Sequence, residues 1–268
     1  MSQKIFTFWE PKEKVPGYIQ LCMETWRKFL PDAEVVVCDY QSIRNYLSEE
    51  EFAAIDFRKM PLAKQSDAIR CALLKKHGGI WMDADTIITT SSIIPRLQQG
   101  ECCMINNGKK HNLYGAFIYA AMPDCEFIRA WHNQLVPRIT AYKKAWKFRL
   151  FRFLFHRAWK QMKSWDYCAN AIIDPLAKQM RAPQFIELEG GEWQVTPERL
   201  CVQPGETAYE AYLRYWFKKE TTEERMAPPI IFLHNSWTPE GYRQMSPSEF
   251  LQADIPLARL LNNLINKS

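Results

Sequence analysis

No stretch of this 268-residue sequence approaches the roughly 20 consecutive apolar residues a helix needs to cross a bilayer. The N-terminus, Met1-Ser2-Gln3-Lys4, leads into five mostly apolar residues before Glu10, which does not make a secretory signal. Both absences predict a cytosolic protein, free or adhering peripherally to the inner face of the cytoplasmic membrane. The eight cysteines, at 22, 38, 71, 102, 103, 125, 168 and 201, contain no Cys-x-x-Cys spacing. Without a signal segment they read as reduced packing residues rather than a disulfide framework or a zinc site. No internal repeat or low-complexity segment occurs. One region lacks acids altogether: residues 142–165 hold eight Lys/Arg and eight aromatics with no Asp or Glu.

What is present has the balance of a globular chain. Hydrophobic residues make up 47% and charged residues 24%, enough to bury one large α/β core or a core with an insertion. Residues 4–9 and 34–38 read as buried strands, with a helix from about Gly17 to Phe29 between them. A helix over 62–77 and a strand over 80–84 continue the alternation expected of a mainly parallel sheet. Further strands are expected at 103–106 and 115–121, with Asn107-Gly108 as the turn between them. A last apolar strand covers 229–234, and 246–266 read as a helix capped by Ser246 or Ser248.

The densest signal lies between Lys64 and Asp85. Asp67 and Arg70, at i and i+3, share one face of the 62–77 helix. Lys75, Lys76 and His77 sit at its negative end, and Gly78 or Gly79 can take the left-handed backbone that closes it. Ile80-Trp81-Met82 then deliver Asp83 and Asp85, which flank Ala84 and point the same way if the strand stays extended. Two carboxylates so placed make a hard-oxygen site for a divalent cation, suited to holding a diphosphate. An Asp-x-Asp turn alone is commonplace; preceded by Ser-Asp-x-x-Arg, a helix and Gly-Gly-Ile-Trp, it reads as a nucleotide-sugar site. Trp9, Asp39, Asp83, Asp85 and His234 all fall at or just past predicted strand ends, where open α/β sheets bind ligands.

These residues resemble the Asp-x-Asp region of glycosyltransferase family 32 and of the related capsular polysaccharide synthesis proteins, which are similar to the glucosylating domain of large clostridial toxins. The likeness includes Ile5-Phe6-Thr7-Phe8-Trp9, the stretch Cys22 to Asp39, and His234-Asn235-Ser236-Trp237. It covers about the first 120 residues and this last motif, and is poor between roughly 125 and 225. It implies a glycosyltransferase A-type fold, a Rossmann-like mainly parallel sheet flanked by helices, with a helical acceptor-side insertion. The expected division is a single domain over 1–268, with a nucleotide-sugar part at 1–121. A variable, partly helical acceptor- or membrane-facing part follows at 122–228, then a closing strand and helix at 229–268.

By the same resemblance Asp85 ligates Mn²⁺ or Mg²⁺, Asp83 touches ribose, sugar and metal, and His234 is a third metal ligand. Imidazole suits Mn²⁺ better than Mg²⁺. Trp9 would stack on the base, though a Trp in an apolar strand is equally a core residue. Ser236 and Trp237 would bind the diphosphate through a hydroxyl and an indole N–H. Asp67 and Arg70 would hold donor-sugar hydroxyls; the plain alternative is a helix-surface ion pair. Asn106 and Asn107 read first as an ordinary turn, the alternative being that they reach the sugar or acceptor.

The implied activity is metal-dependent, retaining transfer of a hexose or N-acetylhexosamine from a UDP-sugar to a saccharide. The expected acceptor is a lipid-linked glycan in bacterial O-antigen, capsule or lipopolysaccharide synthesis. A nucleotide-sugar hydrolase and an inactive membrane-surface adaptor on a transferase fold are the alternatives. Residues 142–165 read as a basic amphipathic helix, with Phe148, Phe151, Phe155, Ala158, Trp159 and Met162 on one side. Arg149, Arg152, Lys160 and Lys163 collect beside them, which suits an anionic membrane surface. No nucleic-acid motif is found.

Overall fold

The computed structural model describes residues 3–147, 153–195, 202–218 and 228–266. Its frame is a six-stranded sheet in the order β2-β1-β3-β6-β5-β7. The strands are β1 (Gln3–Phe8), β2 (Ala33–Cys38), β3 (Gly79–Met82), β5 (Cys102–Asn106), β6 (Leu113–Ala120) and β7 (Ile186–Leu188). Three of the five pairings are parallel, β1 with β2, β1 with β3 and β5 with β7; β6 runs antiparallel to both its neighbours. A second, three-stranded sheet pairs β4 (Thr86–Ile88) with β9 (Ile230–Phe232), and β9 with β8 (Gln194–Val195). Helices flank the large sheet, so the expected α/β class holds.

Helices α1 (Gly17–Phe29) and α3 (Leu62–His77) each begin directly after a proline, Pro16 and Pro61, whose fixed φ admits the first turn. Between them α2 (Glu49–Ile55) starts with a capping box made by Ser48 and Glu51. The sequence expectation did not include α2. Helix α3 stops at Gly78 (φ 64°), and Gly79 follows at φ 90°. A Cβ on Gly79 would lie 2.5 Å from the Lys4 carbonyl oxygen, so only glycine lets β3 lie this close to β1.

Two cores hold the layers. One packs α3, α5 (Glu126–Lys147) and α7 (Asn170–Gln179) on one face of the sheet, including Trp81, Trp131 and Ile118. The other packs α1, the small sheet and the C-terminal helices on the opposite face, including Ile80, Trp26 and Phe232. The seven described cysteines are buried and free, as packing residues should be; Cys201 lies outside the described residues.

Two expected elements differ in form. The closing helix is two helices, Pro247–Gln252 and Pro256–Asn266, because Pro256 lacks the N–H that would carry the first into the second. Ser246 caps the first with Glu249 as its capping-box partner. The 142–165 segment is not one continuous amphipathic helix. Helix α5 runs to Lys147, and α6 (His156–Lys163) starts only after Phe155, whose φ of −116° and ψ of 48° are not helical. Phe148, Arg149, Phe151 and Arg152 lie outside the described residues. Tyr142 is a core residue, and Trp159 packs on it with ring centroids 5.7 Å apart. The aromatic set is therefore divided between the interior and the surface. Among the described residues no helix is long and apolar enough to cross a membrane.

Candidate functional site

The ends of β1 and β3 lie side by side, and the chain past each delivers its site residues to one crevice. Trp9 follows β1, with its N–H donating to the Cys38 carbonyl at 2.9 Å. Asp83 follows β3, with its N–H on the Ala116 carbonyl at 2.8 Å. The chain then turns, since the Thr86 N–H donates to the Asp83 carbonyl at 3.0 Å. Strand alternation therefore does not align Asp83 and Asp85. A turn between the two sheets carries both carboxylates to the same crevice. The far side of the turn is fixed by Leu233, whose N–H donates to the Asp85 carbonyl at 3.0 Å.

Arg70 organises the wall. Its Nη2 lies 3.1 Å from Asp67 Oδ1 and 3.2 Å from Asp83 Oδ1, and its Nη1 donates to the Gly115 carbonyl. The guanidinium also lies over the Trp81 ring, 5.1 Å from its centroid, while Trp81 Nε1 donates to Asp83 Oδ1 at 2.8 Å. Asp67 and Arg70 are 3% and 6% exposed, so the surface ion-pair alternative does not describe them. Gly115 is needed here, because a Cβ on it would come within 2.7 Å of Arg70 Nη1. Burial pushes the Asp67 carboxyl up to about 7, outweighing the Arg70 cation beside it. Asp67 Oδ2 and Arg70 Nε are buried without a hydrogen-bond partner.

Asp85 keeps an edge open to the crevice yet sits deep in the surrounding protein. Burial, with the Asp83 charge next in effect, raises its carboxyl to about 6; the Asn235 N–H on Oδ2 at 3.0 Å opposes this. Each carboxylate thus has one oxygen engaged, Oδ1 of Asp83 and Oδ2 of Asp85, with the second outside these bonds. Two neighbouring carboxylates at the mouth of an open space fit a divalent cation. Among the described residues, however, no three His, Cys, Asp or Glu side chains are gathered into a ligand cluster. His234 lines the same cavity, but its ring packs on Trp237 at 4.4 Å.

The crevice has two halves that share Asp67, Arg70, Asp83, Asp85 and Trp165 as a common wall. One half, about 370 Å³, is lined by half-buried Trp9 with Glu10, Ser66 and Asn235. The other, about 420 Å³, is lined by Asn107, Asn112, Tyr114, Asn170 and His234. Trp9 is therefore a wall residue of the crevice and not a core tryptophan.

Other expected residues stand elsewhere. Ser236 is exposed, and Trp237 packs among Tyr209, Tyr212 and His234; neither lines either half. Asp39 lines neither half: its Oδ1 accepts from Gln41 N, Ser42 N and Ser42 Oγ at 3.0, 2.6 and 2.6 Å, closing a turn. Burial would raise its carboxyl, but these bonds outweigh it and hold it below the usual range. Asn106 is fully buried and structural, donating to Glu187 and accepting from the Gly108 and Gly190 N–H groups. Asn107 does face the crevice, with Oδ1 buried and unpartnered.

Sequence reasoning missed Gly115, Asn112, Asn170 and the position of Trp165. A glycine inside the strand pattern of β6 was a readable signal of close approach at Gly115. Asn112 in a loop, Trp165 in a helical turn and Asn170 at the start of α7 take positions that depend on the tertiary fold.

The crevice lies past the carboxyl ends of the parallel strands β1 and β3, where open α/β sheets bind their ligands. A family model for capsular polysaccharide synthesis proteins matches residues 1–180, and the chain belongs to that family. Among solved structures it is similar to one titled "PaToxG Glycosyltransferase", with 15% identity, a TM-score of 0.42, and 66% of this chain and 68% of that one covered. It is also similar to a glycosyltransferase involved in the glycosylation of the major capsid of PBCV-1, with 9% identity and a TM-score of 0.44. That match covers 90% of this chain and 96% of the other. No curated protein matches the sequence.

Proposed function

We propose that this chain is a glycosyltransferase that moves a hexose or N-acetylhexosamine from a UDP-sugar to a saccharide hydroxyl during capsular polysaccharide synthesis. The observation that carries the reading is the common wall of the crevice. Asp67, Arg70, Asp83 and Asp85 stand between one half with an aromatic plate, Trp9, and another rich in amides. That is the division a donor nucleotide and a sugar require.

Trp9 would stack on the base, and Asp67 and Arg70 would hold the donor sugar. Asp83 and Asp85, with His234 lining the same cavity, would hold Mn²⁺ or Mg²⁺. When bound, the cation supplies positive charge to the departing diphosphate. Arg70 adds a fixed cation whose orientation is set before substrate arrives. No carboxylate in the crevice is singled out as a covalent nucleophile. Retention is what the resemblance to glycosyltransferase family 32 implies, and without such a nucleophile the reading is same-face displacement, the acceptor hydroxyl entering on the side the diphosphate leaves.

The hydrolase alternative uses the same wall, and product analysis separates the two. A panel of UDP-sugars is incubated with Mn²⁺, with and without saccharide acceptors. A transferase yields glycosylated acceptor; turnover indifferent to every acceptor would leave hydrolysis as the activity. Full turnover after exhaustive chelation would remove the metal from the scheme.

The acceptor is lipid-linked on this reading, and the protein sits peripherally on an anionic membrane face. Its support is the tip before α6. Phe153, Leu154 and Phe155 are exposed, and Arg157, Lys160 and Lys163 follow on a helix that buries none of its residues.

A further inference from the structure

Trp165 is 70% exposed, yet it lines both halves of the crevice above the acidic wall. Its turn is held rigidly. Buried Lys64 donates to the Met162 carbonyl at 2.6 Å on one side. On the other, Trp131 Nε1 donates to the Cys168 carbonyl at 2.9 Å, and Arg138 to the Tyr167 and Ala171 carbonyls at 3.0 and 3.2 Å. An indole left open to solvent on a turn fixed on both sides is a preformed plate, and a ligand that covers it incurs little ordering cost.

The larger half is also lined by three side-chain amides, Asn107, Asn112 and Asn170, the last with its Nδ2 already donating to the Leu113 carbonyl at 2.7 Å. Asn107 brings a buried acceptor oxygen that nothing in the protein satisfies. Outside the shared wall this half has no Lys, Arg, Asp or Glu. Amides pair with hydroxyls as both donor and acceptor, and an indole face covers the apolar C–H face of a pyranose. Among the described lining residues, only Arg70, already held by Asp67 and Asp83, and the His234 ring could meet a charged ring here.

We infer that this half is the acceptor subsite, that it takes a neutral pyranose, and that Trp165 is the plate on which the ring stacks. The inference rests on the transferase reading and adds the acceptor's chemical class and the residue that selects it.

The test uses the full chain with UDP and Mn²⁺, probed with methyl glycosides of neutral hexoses and, in parallel, of hexuronic acids. Saturation-transfer NMR reads direct binding, and transfer kinetics read KM for acceptor and donor separately. Neutral glycosides should bind and hexuronides should not. Trp165→Ala should abolish the neutral signal and raise acceptor KM about tenfold, equivalent to about 1.4 kcal/mol. Trp165→Phe should retain most of both. Because the indole also borders the nucleotide half, UDP affinity should fall much less than acceptor affinity in Trp165→Ala, and an unchanged thermal midpoint checks the fold. Equal loss of UDP affinity in Trp165→Ala would assign the indole to the donor and overturn the inference. So would an unchanged acceptor KM, preference for hexuronides, or failure of wild type to bind any probe while it binds UDP. If wild type binds no UDP at all, the transferase reading itself fails, a result distinct from these.

Discussion

Two segments of the chain are unusual in charge, residues 64–85 and 142–165, and the fold treats them in opposite ways. In the first, Lys64, Asp67 and Arg70 are all at most 6% exposed, and each meets an oppositely charged or carbonyl partner. In the second, Arg157, Lys160 and Lys163 stand on a helix with no buried residue, while Met162 packs toward the core and Trp159 stacks with Tyr142. Burying a charge costs several kcal/mol unless geometry and hydrogen bonds offset it, so a buried set implies a fixed arrangement. A solvated basic face costs almost nothing and so constrains nothing. The first pattern therefore specifies chemistry, whereas the second specifies only a surface. Lys64 joins the two: its ammonium seats the end of α6 on α3 and with it the Trp165 turn.

The contrast breaks most directly at Arg70. Arg70→Ala leaves Asp67 and Asp83 without their shared cation in a buried wall, and the expected loss is about 3–5 kcal/mol of unfolding free energy. Lys163→Gln should change stability by less than about 0.5 kcal/mol. Equal losses in chemical denaturation would mean that the buried set is no more constrained than the solvated one. In calorimetry, Arg70→Ala and Asp67→Ala should also weaken the UDP-sugar more than UDP itself, because the wall meets the sugar and Trp9 the base.

Asp85 sharpens the functional side of the same comparison. Its carboxyl projects from a turn into the crevice, so Asp85→Asn should leave cooperative unfolding intact. Turnover with Mn²⁺ should fall by about two orders of magnitude, the scale of losing one preorganised electrostatic group. An unfolded variant would make Asp85 a structural residue, and undiminished turnover would remove it from the reaction.

The fate of each segment was legible in the sequence to different depths. Helix α3 was readable to the residue, because Pro61 and Gly78 bound it and its periodic face has one solution. That Asp67, Arg70, Asp83 and Asp85 share a crevice was also readable, since strand ends converge in such sheets. The mechanism of convergence was not. Extended alternation was expected, and a turn between two sheets does the work, because β4 pairs with β9, more than a hundred residues distant. Strands as short as β8 and β9, and the segments that place Asn112, Asn170 and Trp165, take their positions from tertiary contacts that no local pattern encodes. The 142–165 face failed as a single helix for a related reason: Tyr142 and Trp159 satisfy the core and not the wheel.

The surface side of the contrast can be tested without touching the crevice. Replacing Arg157, Lys160 and Lys163 with Gln should lower binding to vesicles containing anionic lipid by about tenfold, since each cation near such a surface contributes roughly 1 kcal/mol. Raised salt should release the wild type, because screening acts over about 8–10 Å. Acceptor-independent donor hydrolysis should be untouched. Sedimentation that ignores both salt and the triple substitution would leave α6 as a packed helix with a solvated face.

A slope in stability with pH isolates Asp67 from the rest of the wall. Folded, its carboxyl holds a proton up to about 7; unfolded, it releases it near the ordinary value of 3.8. Between those values the folded state binds more protons than the unfolded one, so raising pH removes stability. The contribution is fully favourable below pH 3.8, declines through the window, and is fully lost above about pH 7. Asp67→Asn carries no titrating group, so its stability should lose that decline relative to wild type. At about 1.4 kcal/mol per pKa unit, the difference between the two profiles builds to about 4 kcal/mol across the window. Urea denaturation at a series of pH values reads it without any substrate. If the two profiles run parallel from pH 4 to pH 7, Asp67 is ionised throughout, and the Arg70 cation governs it more strongly than burial does.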